Sequence, residues 1–180
     1  NDLKRIESLT NNEVKYLGNL KLTNKLRILP NSSTSTNINI MLASTHHNEE
    51  ELIMPYIENI SKKYPLINFF ITPRHPERSR IIFDLLKSKK LNVGLHSSIQ
   101  KNSKIQFLII DSLGKMNEFY NKSDIVILGG SFTNNGGHNQ IETAMANCAI
   151  ITGPHIFNWQ NLYEDMIKKN CCLMIKNSKE

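Results

Sequence analysis

Two glycine pairs, Gly129-Gly130-Ser131 and Gly136-Gly137-His138-Asn139, lie between an apolar run and a helical pattern carrying Glu142. Glycine admits positive φ and lets a ligand reach main-chain N–H groups that a Cβ would screen. A helix N-terminus adds unpaired donors and partial positive charge. The chemistry these residues suggest is the holding of an anion by backbone donors. The run Ile125-Val126-Ile127-Leu128 has the character of a buried strand. The cradle is therefore expected at a strand's carboxyl end, where open α/β sheets bind ligands.

Three more segments follow apolar runs: Ser44-Thr45-His46-His47-Asn48-Glu49, Pro73-Arg74-His75-Pro76-Glu77-Arg78 and Gly153-Pro154-His155. In a parallel sheet such loops share one edge, so all four are expected to converge on one crevice. Ser44 and Thr45 offer hydroxyls to an anion. Arg74 brings a planar, permanently charged fork suited to phosphate or carboxylate. Pro73 and Pro76 stiffen its loop, which favours ligand contact over a surface ion pair. Arg78 is expected to be structural.

His46, His47 and Glu49 match no zinc-ligand spacing, and no metal is expected there. Asn48 is expected to cap the next helix, with Glu49 to Glu51 complementing its dipole. Asn139 and Glu142 have capping-box spacing. Glu142 has a second possible role, accepting a hydrogen bond from a ribose or sugar hydroxyl, and the sequence does not choose between them. There is no Walker A lysine, no complete Gly-x-Gly-x-x-Gly and no Asp-x-Asp pair. That argues against a nucleoside triphosphatase, an ordinary dehydrogenase and an obvious divalent-ion site.

Seven short apolar stretches must position these loops. They begin with Ile38–Leu42, Phe69–Ile71 and Val93–Leu95, continue with Phe107–Ile110, Ile125–Leu128 and Ala149–Ile151, and end with Leu173–Ile175. Helical patterns alternate with them. Ile53, Ile57 and Ile60 share a face that Pro55 should kink or delay. Ile82, Leu85 and Leu86 follow Pro76, and Met116, Phe119 and Tyr120 mark another helix. The clearest stripe is Trp159, Leu162, Tyr163, Met166 and Ile167, behind Asn158 as expected N-cap. Strands alternating with helices predict an α/β, Rossmann-like, doubly wound and mostly parallel sheet with helices on both faces.

A chain of 180 residues has room for one domain with a substantial core. Its formal charge of +6 favours anionic partners. No apolar run is long enough for a membrane span and no signal-peptide pattern opens the chain. Cys148, Cys171 and Cys172 form neither an even framework nor a metal-ligand spacing, which is cysteine usage for a reducing compartment. The basic residues are scattered and no stacking aromatic accompanies the arginines, so nucleic acid is not an expected partner.

Taken in order, these motifs resemble the C-terminal half of the Kdo (3-deoxy-D-manno-octulosonic acid) transferases of lipid A biosynthesis. The resemblance starts at Leu17-Gly18-Asn19-Leu20-Lys21 and includes Ala43-Ser44-Thr45-His46 with Glu49-Glu50-Glu51. It runs on through Pro73–Arg78, Asp111-Ser112-Leu113-Gly114, both glycine pairs with Glu142, and Gly153-Pro154-His155 with Phe157-Asn158. It implies one half of a GT-B glycosyltransferase, in which two Rossmann-like domains face across a cleft. Residues 1–22 would end a linker from a missing N-terminal domain, and residues 23–180 would form the donor domain, truncated at its C-terminal end. The donor would be CMP-Kdo. The missing half would bind the lipid A precursor, carry the catalytic base and anchor to the cytoplasmic face of the bacterial inner membrane.

The resemblance implies Lys21, Arg74, Ser131, Asn139 and Glu142 as nucleotide contacts, His75 beside Arg74, and Ser44, Thr45 and Gly130 lining the site. Inverting transfer without metal or cofactor is implied as well, since one phosphate needs only an arginine and a helix N-terminus to neutralise it. Three positions depart from the family pattern: Lys115 for a usual Glu, Gln140 for a usual Pro, and Ile110 for a usual Gly. Two rival readings are a GT-B glycosyltransferase or epimerase using a UDP-sugar, and a non-catalytic nucleotide-binding module.

Overall fold

Side chains of a strand point alternately to its two faces, and here that alternation divides the core in two. The computed structural model describes residues 2–15, 37–100 and 103–176. Seven strands are found there: β1 (Asn39–Thr45), β2 (Asn68–Pro73), β3 (Val93–Leu95), β4 (Phe107–Ile109), β5 (Ile125–Leu128), β6 (Ala149–Thr152) and β7 (Cys172–Met174). All pair in parallel, in the order β3-β4-β2-β1-β5-β6-β7. Ile40, Leu42, Phe69, Ile71, Phe107 and Ile109 face one layer. Met41, Ala43, Val126, Leu128 and Ile150 face the other.

Helices cover both faces. On the first lie α2 (Glu49–Lys63), burying Ile53, Met54 and Ile57, and α3 (Ser79–Ser88), burying Ile82 and Leu86. On the second lie α4 (Met116–Tyr120), α5 (Ile141–Met145) and α6 (Gln160–Lys168), which contribute Phe119, Tyr120 and Tyr163. The expected Rossmann-like doubly wound sheet is therefore present, and it is wholly parallel. A further short helix, α1 (Asp2–Glu7), precedes residues 16–36, so the expected boundary at 22/23 and Lys21 fall outside the described residues.

Strand order decides where loops can meet. The chain leaves β1 towards β2 on one side, and returns to pair β5 on the other. That reversal opens a crevice at the carboxyl ends of β1 and β5, the usual ligand position in open α/β sheets. Thr45 is level with Pro73, Ala43 with Leu128, and Leu128 with Thr152. The four loops singled out above therefore leave the same edge from four adjacent strands.

Two local expectations are corrected. Pro55 does not interrupt α2, which runs unbroken from Glu49 to Lys63. A proline there removes one ladder bond, but Ile53, Met54 and Ile57 around it are buried and hold the helix to the sheet. Asn158 is not the cap of α6. Trp159 takes that position, and Asn158 Nδ2 donates to the Asn135 carbonyl. The predicted apolar stripe does anchor the helix: Tyr163 is fully buried, and Trp159, Met166 and Ile167 pack beside it.

The Tyr163 hydroxyl donates to the His138 carbonyl at 2.9 Å, tying α6 to the loop after β5. Burial and this environment push the phenol well above its ordinary pKa, so it remains a donor at any physiological pH. Tyr163→Phe should keep the packing and lose the hydrogen bond, lowering unfolding free energy by about 1 kcal/mol in urea denaturation. A loss near zero would mean that the loop does not depend on this tether.

Candidate functional site

β1 ends in an irregularity. Its register with β2 slips between Ala43 and Thr45, and Ser44 sits at φ 55°. A non-glycine residue in the left-handed region is uncommon and costs energy, so the surrounding contacts must hold it. The bulge turns the Ser44 carbonyl towards β5, where a Cβ on Gly129 would lie only 2.5 Å from it. Gly153 has the same purpose one strand further on, since a Cβ there would meet the Ser131 carbonyl at 2.3 Å. These two glycines let loop pack against loop. Gly130 (φ 68°) faces the imidazoles of His138 and His46.

The backbone donors of the glycine turn already hold an anion, and it belongs to the protein. Glu49 is fully buried. Its Oε2 accepts from the Gly130 N–H at 2.7 Å and the His46 N–H at 2.8 Å. Its Oε1 accepts from the Phe132 N–H at 2.9 Å and the Thr133 N–H at 3.3 Å. The expectation that these N–H groups await a ligand phosphate is corrected accordingly. Glu49 also displaces Asn48 as the organiser of the turn: Asn48 sits at φ 69° and its side chain makes no capping bond.

Neighbouring Glu50 is equally buried and takes a bidentate grip from Arg78, at 3.0 and 2.8 Å. The Thr45 hydroxyl donates to the same carboxylate at 2.6 Å. Arg78 is thus structural, as expected, and the Thr45 hydroxyl is engaged inside. Ser131 is likewise inward: it donates to the Leu128 carbonyl at 2.6 Å and accepts from the Gly153 N–H at 2.8 Å. Both hydroxyls shape the loops that frame the crevice.

What faces outward is different. Arg74 is exposed, and its N–H donates to the Thr45 carbonyl at 2.9 Å, fixing its backbone beside the end of β1. Among the described residues no carboxylate pairs with its guanidinium. His75 next to it is exposed, with Glu77 at 3.8 Å. His46 and His138 meet at 2.8 Å through their Nε2 atoms. Burial, the largest influence, lowers the pKa of both, and pushes His138 down to about 4. The charge of Arg74 reaches both rings and lowers them further.

Asn139 is not the cap of α5: Gln140 takes that position, and Asn139 Oδ1 accepts from the Ile141 N–H at 3.1 Å just ahead of the helix. Glu142 is exposed on that helix, and no hydrogen bond back to Asn139 completes a capping box among the described residues. Asp111 points elsewhere: it accepts from the Ser97 N–H at 3.0 Å and from the Ser97 hydroxyl, pinning the turn after β3. Lys115 pairs with Glu118 at 3.2 Å on α4. Among the described residues no group of three His, Cys, Asp or Glu side chains is placed to hold a metal ion.

Relatives carry this architecture. A 3-deoxy-D-manno-octulosonic acid transferase of Haemophilus influenzae is 34% identical over 137 residues, 76% of this chain and 32% of that protein. One of Rickettsia conorii is 30% identical over 189 residues, 99% of this chain and 40% of that protein. A probable mitochondrial one of Arabidopsis thaliana is 31% identical over 170 residues, 87% of this chain and 38% of that protein. The crystal structure of the C-terminal CMP-Kdo binding domain of WaaA from Acinetobacter baumannii superposes with a TM-score of 0.74. It is 28% identical, covering 78% of this chain and 74% of that one. The chain is a homologue of the Kdo transferases. It spans roughly a third to two fifths of the length of the curated Kdo transferases named here. No model of a known protein family matches it.

Against that kinship the site sorts into two shells of residues. Glu49, Glu50, Arg78, Thr45 and Ser131 build the loops, whereas Arg74, His75 and Glu142 are exposed and His46 and His138 are half-buried. The motif that could have revealed the first group was Glu49-Glu50 after a strand that must neighbour β5. It was hidden because strand adjacency is not written in the sequence. Glu49→Gln replaces an acceptor oxygen with an NH2 facing backbone donors. It should lower stability by about 1–3 kcal/mol. Exposed Glu51→Gln should change it by less than about 0.5 kcal/mol. Chemical denaturation of the two variants checks this, and similar losses would show that the Glu49 contacts contribute little.

Proposed function

We propose that this chain is the donor-binding part of a Kdo transferase and takes CMP-Kdo at the carboxyl edge of its sheet. The observation that carries the reading is Arg74: an exposed guanidinium, unpaired among the described residues, held by backbone at the topological crevice. The kinship with Kdo transferases and with a CMP-Kdo binding domain supports the choice of donor. Arg74 holds the phosphate, with His75 beside it. Glu142 and Asn139 face the ribose or sugar hydroxyls, and Gly130 and Ser44 line the floor. Thr45 and Ser131 contribute by holding the loops in place. Lys21 remains a proposed contact from the linker, residues 1–22, that precedes the donor domain of residues 23–180.

In the whole enzyme, a hydroxyl of a lipid A precursor attacks the anomeric carbon of Kdo with inversion, and CMP departs. Negative charge grows on the phosphate as it leaves. A guanidinium already aimed at that phosphate stabilises the developing charge without reorganisation at the moment of reaction. The general base that deprotonates the acceptor comes from the other domain, which also meets the cytoplasmic face of the inner membrane. No helix among the described residues is long and apolar enough to cross a membrane. On this reading the present chain binds donor, and transfer requires the acceptor-binding domain as well.

Isothermal titration with CMP and with UDP tests the reading. CMP should bind more tightly, and tighter UDP binding would favour a UDP-sugar enzyme instead. No nucleotide binding by the folded protein would favour the non-catalytic alternative. Arg74→Ala should weaken CMP binding about tenfold to a hundredfold, the loss of a charge-assisted bidentate contact, with little change in stability. Arg78→Ala should instead lower stability by about 3–5 kcal/mol, because it strands the buried Glu50 carboxylate. If the two substitutions weaken CMP binding equally at matched folding, the phosphate is not at Arg74.

A further inference from the structure

The contact between His46 and His138 restricts how many protons the two rings can carry. Their Nε2 atoms are 2.8 Å apart, with ring centroids separated by 4.9 Å and planes within 10° of parallel. Atoms so close and centroids so far apart put the rings nearly edge to edge in one plane. That is the geometry of an N–H···N hydrogen bond, which needs one nitrogen with a proton and one without. Two fully protonated imidazoles cannot make it. The pair is either neutral or carries a single positive charge.

The residues around the pair make this arrangement specific. His46 leaves β1, His138 leaves the loop after β5, and a Cβ on Gly130 would sit 3.0 Å from the His138 ring. Glycine at 130 is therefore what allows the rings to meet. His75 stands edge-on to His46, with centroids 6.2 Å apart. The charged groups facing the pair are Arg74, His75 and Arg78 from the loop after β2, and the Glu49 carboxylate of α2. The Ser44 backbone, at the end of β1, favours the protonated form of the His138 ring. Burial and the arginines outweigh Glu49 and Ser44, so with no ligand both rings are neutral at pH 7.

Whichever ring donates through Nε2 has its own Nδ1 unprotonated, and that Nδ1 is where an added proton goes. We propose that His46 and His138 form a one-proton pair that joins Arg74 in holding the donor's phosphate, neutral in the empty site and taking up one proton when that anion binds. The proposal rests on the CMP-Kdo reading above. The proton comes from solvent, no covalent bond changes, and the new N–H meets the phosphate. A nearby opposite charge favours the charged imidazole, which is why binding drives the uptake. When the nucleotide leaves, the proton returns to solvent.

Calorimetry of CMP binding to the chain at about pH 7.5, in two buffers of different ionisation enthalpy, counts the protons. A phosphate near arginine keeps or sheds its own proton, so net uptake must come from the protein. Uptake approaching one proton is expected. H46Q and H138Q should each lower it and weaken binding about tenfold, the value of one charge-assisted hydrogen bond, and the double variant should abolish it. His75→Gln should retain the uptake whatever it does to affinity. Should the pair variants not fold, histidine NMR of the unsubstituted protein gives the same answer, because CMP must move the titration of the pair to higher pH. CMP binding without uptake, uptake that survives undiminished in both single variants or persists in the double variant, or unmoved titrations of both rings would overturn the pair while leaving the donor site standing. Absence of CMP binding to the folded protein would remove the donor reading itself, and this inference with it.

Discussion

The crevice depends on one buried carboxylate. Glu49 collects backbone N–H groups from its own turn and from the glycine loop after β5, and so joins two loops that are about 80 residues apart in the chain. A carboxylate with four donors is fully satisfied away from water, and its hydrogen bonds are the strong, charge-assisted kind. Removing the charge would leave buried N–H groups without partners, so the arrangement tolerates little variation. Everything at the crevice follows from the loop positions that it sets.

Glu50 repeats the principle one residue later with a different partner. Arg78 reaches it from the loop after β2, so that loop too is joined to α2. Adjacent acids on one helical turn thus bind the loops on either side of β1. A buried ion pair adds little net stability against an apolar alternative, because both charges lose water. What it contributes here is placement: the backbone of Arg74 sits four residues before Arg78 and beside Thr45. One arginine is consumed in the framework so that the other can point outward.

The site residues that remain exposed are few and chemically coherent. Arg74 and His75 are exposed, and the half-buried His46–His138 pair lies beside them, which makes a cationic or potentially cationic group. The formal excess of +6 favours anions in general, whereas the proposed donor contact rests on a handful of groups at the crevice.

Much of the fold was legible from residue order. β3 and β5 occupy the expected residues, and the α6 stripe packs on the core, with Tyr163 fully buried and Trp159, Met166 and Ile167 partly so. Apolar period and glycine position are local properties, carried by neighbours in the chain. Arg78 could be read as structural for the same reason, since the helical turn that holds it is adjacent in the chain. The destination of each polar group was not legible. Thr45, Ser131 and the Gly130 N–H each offered a ligand contact as residues, yet each is satisfied internally. Their partners come from strands that become neighbours only when the sheet forms. The same holds for His46 and His138, whose rings are brought together by the pairing of β1 with β5 and by the missing Cβ of Gly130. Sequence determined which elements form and which loops share an edge. Tertiary structure decided which donors were left over, because hydrogen bonds are filled by proximity in space and proximity along the chain does not predict it.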